Sequence, residues 1–160
     1  NTWPTFSKTV LVLLMLIGAS AGSTGGGIKV SRIVILAKSV KKELKQYLHP
    51  HSISKIKMDG KPVEHEVVRS INVFLIAYLL IYAVSMLIVS LDNFDFTTTF
   101  TSVAATINNI GPGLDLVGPA ANFGILSVPS KLVLIFDMLA GRLEIFPLLL
   151  LFVPDTWRKF

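Results

Sequence analysis

The chain has 160 residues, of which 52% are hydrophobic and 16% charged, with a net charge of +5 and no cysteine. A soluble domain carries about a quarter of its residues as charge, so this composition belongs in a bilayer. The lack of cysteine excludes disulfides, thiolate chemistry and cysteine-held metals.

The opening NTWPTFSK has no initiator methionine and no basic stretch ahead of an apolar run, so no signal peptide is read and an earlier part of the polypeptide is expected to be missing. The first apolar segment starts near Thr5, after an interfacial Trp3-Pro4, and runs to Ile17. An unbroken span needs roughly 20 apolar residues. This one stops short and turns into GASAGSTGGGIK, with five glycines between Gly18 and Gly27. A phosphate loop of the form G-x-x-x-x-G-K-[ST] is excluded, because Ile28 separates Gly27 from Lys29 and Val30 stands where the hydroxyl is needed.

Ile33 to Leu48 reads as a basic helix leaving the membrane, and SISKIKMDGKPVEH as a small hairpin turning at Asp59-Gly60. His49, His51 and His65 lack the carboxylate or thiol spacing of a metal site and read as solvated loop histidines. From Lys29 to Arg69 ten bases face four acids. A basic patch of this kind also suits nucleic acid. Here membrane segments flank it on both sides, so the positive-inside rule makes it a cytoplasmic loop. The opposite connection, Asp92 to Pro129, holds Asp92, Asp95 and Asp115 without a lysine or arginine and is expected outside.

Ser70 to Leu91 is an uninterrupted span whose Tyr78 and Tyr82 are too central for an interfacial belt and are expected to pack against neighbouring helices. After a cap-like Asp92-Asn93, a short helix is expected over 96–106, ended by NNIGPG. That helix is too short to cross, and the order span, short helix, glycine-broken strand, span is that of a pore loop. Its carbonyl end, about half a negative charge, would point at the axis, and the extended residues would present carbonyls to a dehydrated cation. An ordinary outer loop with a capped helix gives the same pattern. Two interrupted segments in separate units favour the transport reading, because non-helical backbone at membrane depth is tolerated where it lines a cavity or is covered by protein. The last span, 131–153, contains Asp137, Arg142 and Glu144 and closes on Pro154 and Trp157. A charge inside a span costs several kcal/mol unless it faces water or a partner. Arg142 is therefore a functional candidate, or else pairs with Asp137 or Glu144, or snorkels.

GASAGSTGGGIKVSRI, ATINNIGPGL and GRLEIFPLLLL, in that order, resemble the C-terminal third of TrkH-type subunits of the Trk/Ktr/HKT superfamily of potassium transporters, over essentially the whole chain. The resemblance implies an all-α integral membrane fold of membrane helix–pore loop–membrane helix repeats around a pore, like potassium-channel subunits fused in one chain, here with a broken helix and a small cytoplasmic β-hairpin. It makes 1–48 the second membrane helix of repeat three with its gating loop and cytoplasmic extension, 49–66 a hairpin linker, and 67–160 repeat four. Within repeat four it sets a membrane helix at 70–91, a pore helix at 96–106, a filter at 108–113 and a membrane helix at 131–153. It implies a filter of Asn108, Asn109, Ile110, Gly111, Pro112 and Gly113, with potassium held by the backbone carbonyls of Asn109, Ile110 and Gly111. NIGPG departs from the TVGYG of potassium channels, which fits looser selectivity. The gate would be the intramembrane loop Gly18, Ala19, Ser20, Ala21, Gly22, Ser23, Thr24, Gly25, Gly26 and Gly27, together with Arg142 reaching toward it. Potassium uptake, a multi-pass place in the bacterial inner membrane among lipid, a homodimer and a TrkA-like cytoplasmic nucleotide-binding ring are implied. Neither a cofactor other than the transported ion, nor a nucleic-acid partner, nor an enzyme activity is expected. The alternative is an ABC-permease-like membrane subunit whose basic loop docks a nucleotide-binding partner; channel-like and ion-coupled transport both stay open.

Overall fold

The computed structural model describes residues 3–18, 26–49, 56–58, 61–143 and 145. These are mostly helical: α1 (Thr5–Ile17), α2 (Val30–Leu48), α3 (His65–Ser90), α4 (Phe96–Ile107) and α5 (Val128–Leu143), with short 3-10 turns at Asp115–Val117 and Phe123–Ile125. Two short strands, β1 (Lys57–Met58) and β2 (Lys61–Pro62), pair antiparallel with Lys57 opposite Pro62. The Asp59-Gly60 turn, His51, most of Gly18–Gly27, Glu144 and the end of the last span lie outside the described residues.

The 26 residues of α3 reach about 39 Å, enough to cross a bilayer. Among the described residues it is the one helix of sufficient length and apolar character. Its buried face runs Val68, Ile71, Phe74, Tyr78, Tyr82, Ser85, Val89, the three- and four-residue steps of one helical stripe. The opposite face leaves Ile76, Leu80 and Leu87 about 60–70% exposed, a surface suited to lipid or to further apolar protein. The helix starts at His65, five residues ahead of the apolar run that marks it in the sequence. The cause is tertiary: Val68 and Ile71 join Ile35 of α2 and Ile56 in a small core at the basic end of the molecule. Lys38 Nζ adds a hydrogen bond to the Lys57 carbonyl at 2.7 Å.

The 12 residues of α4 span about 18 Å, roughly half a bilayer. It packs against α3 and α5 and also touches α1. Everything from Thr101 to Ile107 is buried, although much of it is Thr and Ser. Burying hydroxyls costs unless they are bonded. Here Thr101, Ser102 and Thr106 each donate to the carbonyl four residues back, at 2.7, 2.7 and 2.9 Å. Tyr82 of α3 reaches across to the Phe100 carbonyl at 2.9 Å.

The capping pair expected at Asp92-Asn93 is corrected by three residues. Asp95 is the N-cap, its Oδ2 accepting from Thr98 N–H at 3.0 Å. Asp92 instead accepts from Ser127 N–H at 2.9 Å, joining the end of α3 to the start of α5. That tie brings the α5 start forward to Val128, ahead of the Lys131 expected from hydropathy.

The Thr98 hydrogen bond holds the Asp95 carboxyl below the usual carboxylate range. Asp95→Ala should cost about 1 kcal/mol, the worth of an N-cap, read as a lower unfolding midpoint in detergent, while Asp95→Ser should recover most of it. Because the folded value is depressed, the Asp95 contribution is complete at neutral pH and fades only as pH falls through that value. A midpoint difference that persists unchanged in strong acid would contradict this assignment.

Candidate ion pathway

The end of α4 is where the unusual backbone gathers. Asn108 caps the helix with its N–H on the Ala104 carbonyl at 3.3 Å, and Asn109 turns the chain in the left-handed region at φ 52°. Asn tolerates that conformation better than most residues because its short amide bonds locally. The Asn109 and Ile110 N–H groups fold back onto the Thr106 and Ala105 carbonyls at 3.0 and 2.9 Å.

From Ile110 to Leu114 the chain has no regular structure. It is pinned at its far end, where Gly113 N–H donates to the Val117 carbonyl at 2.8 Å and Leu114 N–H to Thr101 Oγ1 at 2.9 Å. A side chain at buried Gly113 would come within 2.7 Å of Val117 Cγ2 and 3.1 Å of the Thr101 carbonyl. Between the pins, Ile110, Gly111 and Pro112 are exposed. Gly111 sits at φ +112° with open space around its Cα, so dihedral freedom, not room, requires glycine here. Among the described residues, the carbonyls of Asn109, Ile110, Gly111 and Pro112 accept no backbone hydrogen bond. Among the described residues, four successive carbonyls without a backbone partner therefore follow the negative end of a helix dipole.

Two asparagines that the sequence places in the filter send their side chains elsewhere. Asn108 is buried; its Oδ1 accepts from Tyr78 O–H at 3.1 Å and its Nδ2 donates to the Ala104 carbonyl at 2.9 Å. Asn109 Nδ2 donates to the Met138 carbonyl of α5 at 3.1 Å. Both amides brace the segment, and neither side chain is left over for a ligand. An apolar groove of about 550 Å³ runs between Ile110–Gly111 and the Leu134, Ile135 and Met138 face of α5.

The described ends of the glycine-rich segment lie directly beneath this site. Gly18 closes α1 at φ +73°, and a Cβ there would meet the Gly26 carbonyl at 2.9 Å. Gly26 N–H donates to the Asn108 carbonyl at 3.2 Å. A side chain on Gly26 would reach the Ile107 carbonyl at 2.7 Å, and one on Gly27 would overlap Asn108 Oδ1. Ala19, Ser20, Ala21, Gly22, Ser23, Thr24 and Gly25 lie outside the described residues.

Arg142 is an exposed residue of α5. Its neighbour Gly141 is the tighter contact: a Cβ there would run into the Ile107 carbonyl and lie 2.7 Å from Asn109 Nδ2. Asp137 is buried against α3 and accepts from Ser85 Oγ at 2.8 Å. Sequence reading passed over Gly141, whose only signal is a small residue inside a span, and it placed Tyr78 in packing without a polar role. It also passed over Arg32, whose guanidinium lies 3.9 Å above the Phe74 ring. Among the described residues no cluster of metal-ligating side chains forms.

The family model described as TrkH, cation transport protein, matches residues 1–159. The Trk system potassium uptake protein TrkH of Escherichia coli K12 is 43% identical over 157 residues, 98% of this chain and 32% of that protein. Its namesake in Vibrio parahaemolyticus is 44% identical over the same shares. The crystal structure of the potassium transporter TrkH from Vibrio parahaemolyticus aligns with a TM-score of 0.81 at 43% identity, covering 97% of this chain and 33% of that one. The chain thus spans about a third of the length of the curated relatives it matches.

Gly141→Ala should push α5 off the end of α4 and cost about 1–3 kcal/mol, the usual penalty for overpacking. The check is the thermal midpoint in detergent beside Leu139→Ala, on the exposed face of the same helix, which should stay near the unmodified protein. Equal midpoints for the two variants would show that Gly141 is not a close-packing site.

Proposed function

This chain belongs to the TrkH family of cation transport proteins, and we propose that it supplies part of a selective potassium uptake pore in a bacterial inner membrane. Residues 108–113 form one quarter of the filter and residues 18–27 the gate beneath it. The observation that carries this reading is the row of carbonyls at Asn109, Ile110 and Gly111 that no backbone N–H among the described residues occupies, directly after the end of a helix only 12 residues long. Such oxygens replace the hydration shell of a potassium ion, and the adjacent helix end adds a favourable potential. One strand contacts an ion from one side only, so a closed ring needs three more, supplied by repeats beyond this third of the protein. In that scheme 1–48 ends repeat three, 49–66 links, and 67–160 is repeat four.

The gate reading is supported by the meeting of Gly18 with Gly26, which brings both ends of the glycine-rich segment to one point under the filter. Five of these ten positions are glycine, each of which costs about 1 kcal/mol relative to alanine in a regular helix, so the composition disfavours a continuous helix through the segment. Arg142, on the helix next to this point, adds positive charge to the cation path. The basic surface from Lys38 to Glu66 is the docking face for a cytoplasmic nucleotide-binding ring, and the complete protein pairs as a homodimer. An ABC-permease-like subunit is not favoured, because it requires neither the half-membrane helix nor a glycine at position 111.

Gly111→Ser in the complete protein should lower potassium-over-sodium preference about tenfold or more, because an L side chain at φ +112° strains the strand by about 1–2 kcal/mol. Potassium and sodium uptake in a potassium-uptake-deficient strain, at matched expression, tests this; unchanged preference sinks the filter assignment.

Reversing Lys41, Lys42 and Lys45 to Glu should weaken capture of the regulatory ring, most strongly at low salt where screening is least. Pull-down that is insensitive to all three reversals would leave the basic loop as a topology signal only.

A further inference from the structure

We propose that α5 sets the geometry of the filter segment from behind, through one chain of positioning contacts. Ser85 on Asp137 fixes α5 against α3, and the Met138 carbonyl, one residue on, holds the Asn109 amide. This deepens the pore reading above and rests on it.

Lengthwise, the filter segment is held by its own neighbourhood. The Asn109 and Ile110 N–H groups return to Thr106 and Ala105 of α4, and Gly113 N–H is tied to Val117. Sideways support comes from farther away. Among the described residues, the hydrogen bond that joins 109–112 to another membrane helix is Asn109 Nδ2 on the Met138 carbonyl, at 3.1 Å. It acts on the residue that turns the chain at φ 52°, whose carbonyl is the first of the four that accept no backbone N–H. Holding this side chain limits how far the backbone at 109 can rotate, and with it the direction of that oxygen.

A bond of this kind needs an open carbonyl within a helix. A helical carbonyl accepts the N–H four residues on and keeps a second lone pair. Residues three apart share a helix face, and three residues after Met138 stands Gly141. A Cβ there would lie 2.7 Å from Asn109 Nδ2 and run into the Ile107 carbonyl. Glycine at 141 is thus the opening through which the amide reaches α5.

The contact lasts only while α5 keeps its register. Apolar faces slide past one another more easily than a buried hydrogen bond can be broken. Asp137 is fully buried and accepts from Ser85 Oγ at 2.8 Å, with Ser85 itself 2% exposed. Its other oxygen, Oδ2, is also buried and has no hydrogen-bond partner. An acid enclosed in this way is less favourable than an apolar side chain of its size. The pair therefore contributes position in place of stability, the role in which buried polar groups are best attested. Tyr82, three residues before Ser85, sets its hydroxyl on the Phe100 carbonyl of α4 at 2.9 Å. The helix that leads into the filter and the helix that braces it are thus both referred to α3.

The test uses the complete protein at matched expression. Potassium and sodium uptake are measured in a potassium-uptake-deficient strain, and the thermal midpoint is taken in detergent. Asn109→Gly removes the amide and tolerates the left-handed turn. It should lower potassium-over-sodium preference about fivefold, the equilibrium factor of one hydrogen bond. Asp137→Leu should lower preference in the same direction even where its midpoint rises, because an apolar side chain replaces the buried acid. Asp137→Asn, which keeps an acceptor for Ser85, should restore most of that loss. A pair with a merely structural role would move the midpoint and leave the preference alone. Combining Asn109→Gly with Asp137→Leu should give less than the product of the two effects, since both act through one contact. Unchanged preference in Asn109→Gly or in Asp137→Leu, no recovery in Asp137→Asn, or multiplicative effects in the double variant would overturn the chain of contacts. Gly111→Ser run in parallel separates the two failures. If it alters preference while Asn109→Gly does not, the filter reading stands and the positioning role is wrong. If Gly111→Ser is inert as well, the filter reading itself is lost and the positioning role falls with it.

Discussion

A helix leaves its last carbonyls without partners of its own, and the surroundings of α4 are arranged around how those carbonyls are met. The Ala104 oxygen takes both the backbone and the side-chain N–H of Asn108; those of Ala105 and Thr106 take Ile110 and Asn109 N–H; that of Asn108 takes Gly26 N–H. The Ile107 oxygen is covered by the backbone of Gly26 and Gly141. Segments far apart in sequence converge on this one helix end, whose acceptors are left to whatever donors can reach them.

That convergence explains why the surrounding positions are small. Gly26 and Gly141 approach the Ile107 carbonyl more closely than a side chain on either would allow, and Gly27 lies equally close against the Asn108 side chain. Close backbone approach is the usual way membrane helices associate when apolar burial gives no preference for protein over lipid. The glycines that make the segment after α1 a poor helix are thus also what lets its end lie against the end of α4.

The outer supports follow the same economy of polar groups. Tyr82 on the Phe100 carbonyl, Ser85 on Asp137, and Asp92 on Ser127 form a ladder along α3 toward α4 and α5. Each rung joins the long helix to a neighbour. The Ser127 bond holds the Asp92 carboxyl below its usual range, so this last rung is fully charged at neutral pH and lies at the end of α3, where water can solvate it. Of the deeper rungs, one sets the Tyr82 hydroxyl on a carbonyl and the other sets the Ser85 hydroxyl on the fully buried carboxyl group of Asp137.

Apolar runs, glycine breaks and charge asymmetry were legible because each depends on a few neighbouring residues. The end of the first apolar run at Gly18, a basic helix read from Ile33 and a short helix read from Phe96 to Thr106 follow from local composition and helix-breaking dihedrals, and α2 and α4 extend these two helices by three residues and one. The capping role of Asp92 was misread because two aspartates three residues apart both suit a helix start, and only the path of the chain toward Ser127 separates them. The amide roles of Asn108 and Asn109 were out of reach for a related reason: an asparagine beside a glycine-rich strand suits ion ligation and bracing equally, until Tyr78 and Met138 are seen at hydrogen-bond distance. Sequence by itself determined where the backbone must leave the helical form, since that is a property of glycine, proline and asparagine wherever they stand. Which groups at this helix end are covered from a distance was decided only by tertiary structure, because the Gly26 N–H on the Asn108 carbonyl, the Tyr78 hydroxyl on the Asn108 amide and the Met138 carbonyl that accepts from Asn109 come from segments that the order of residues does not bring together.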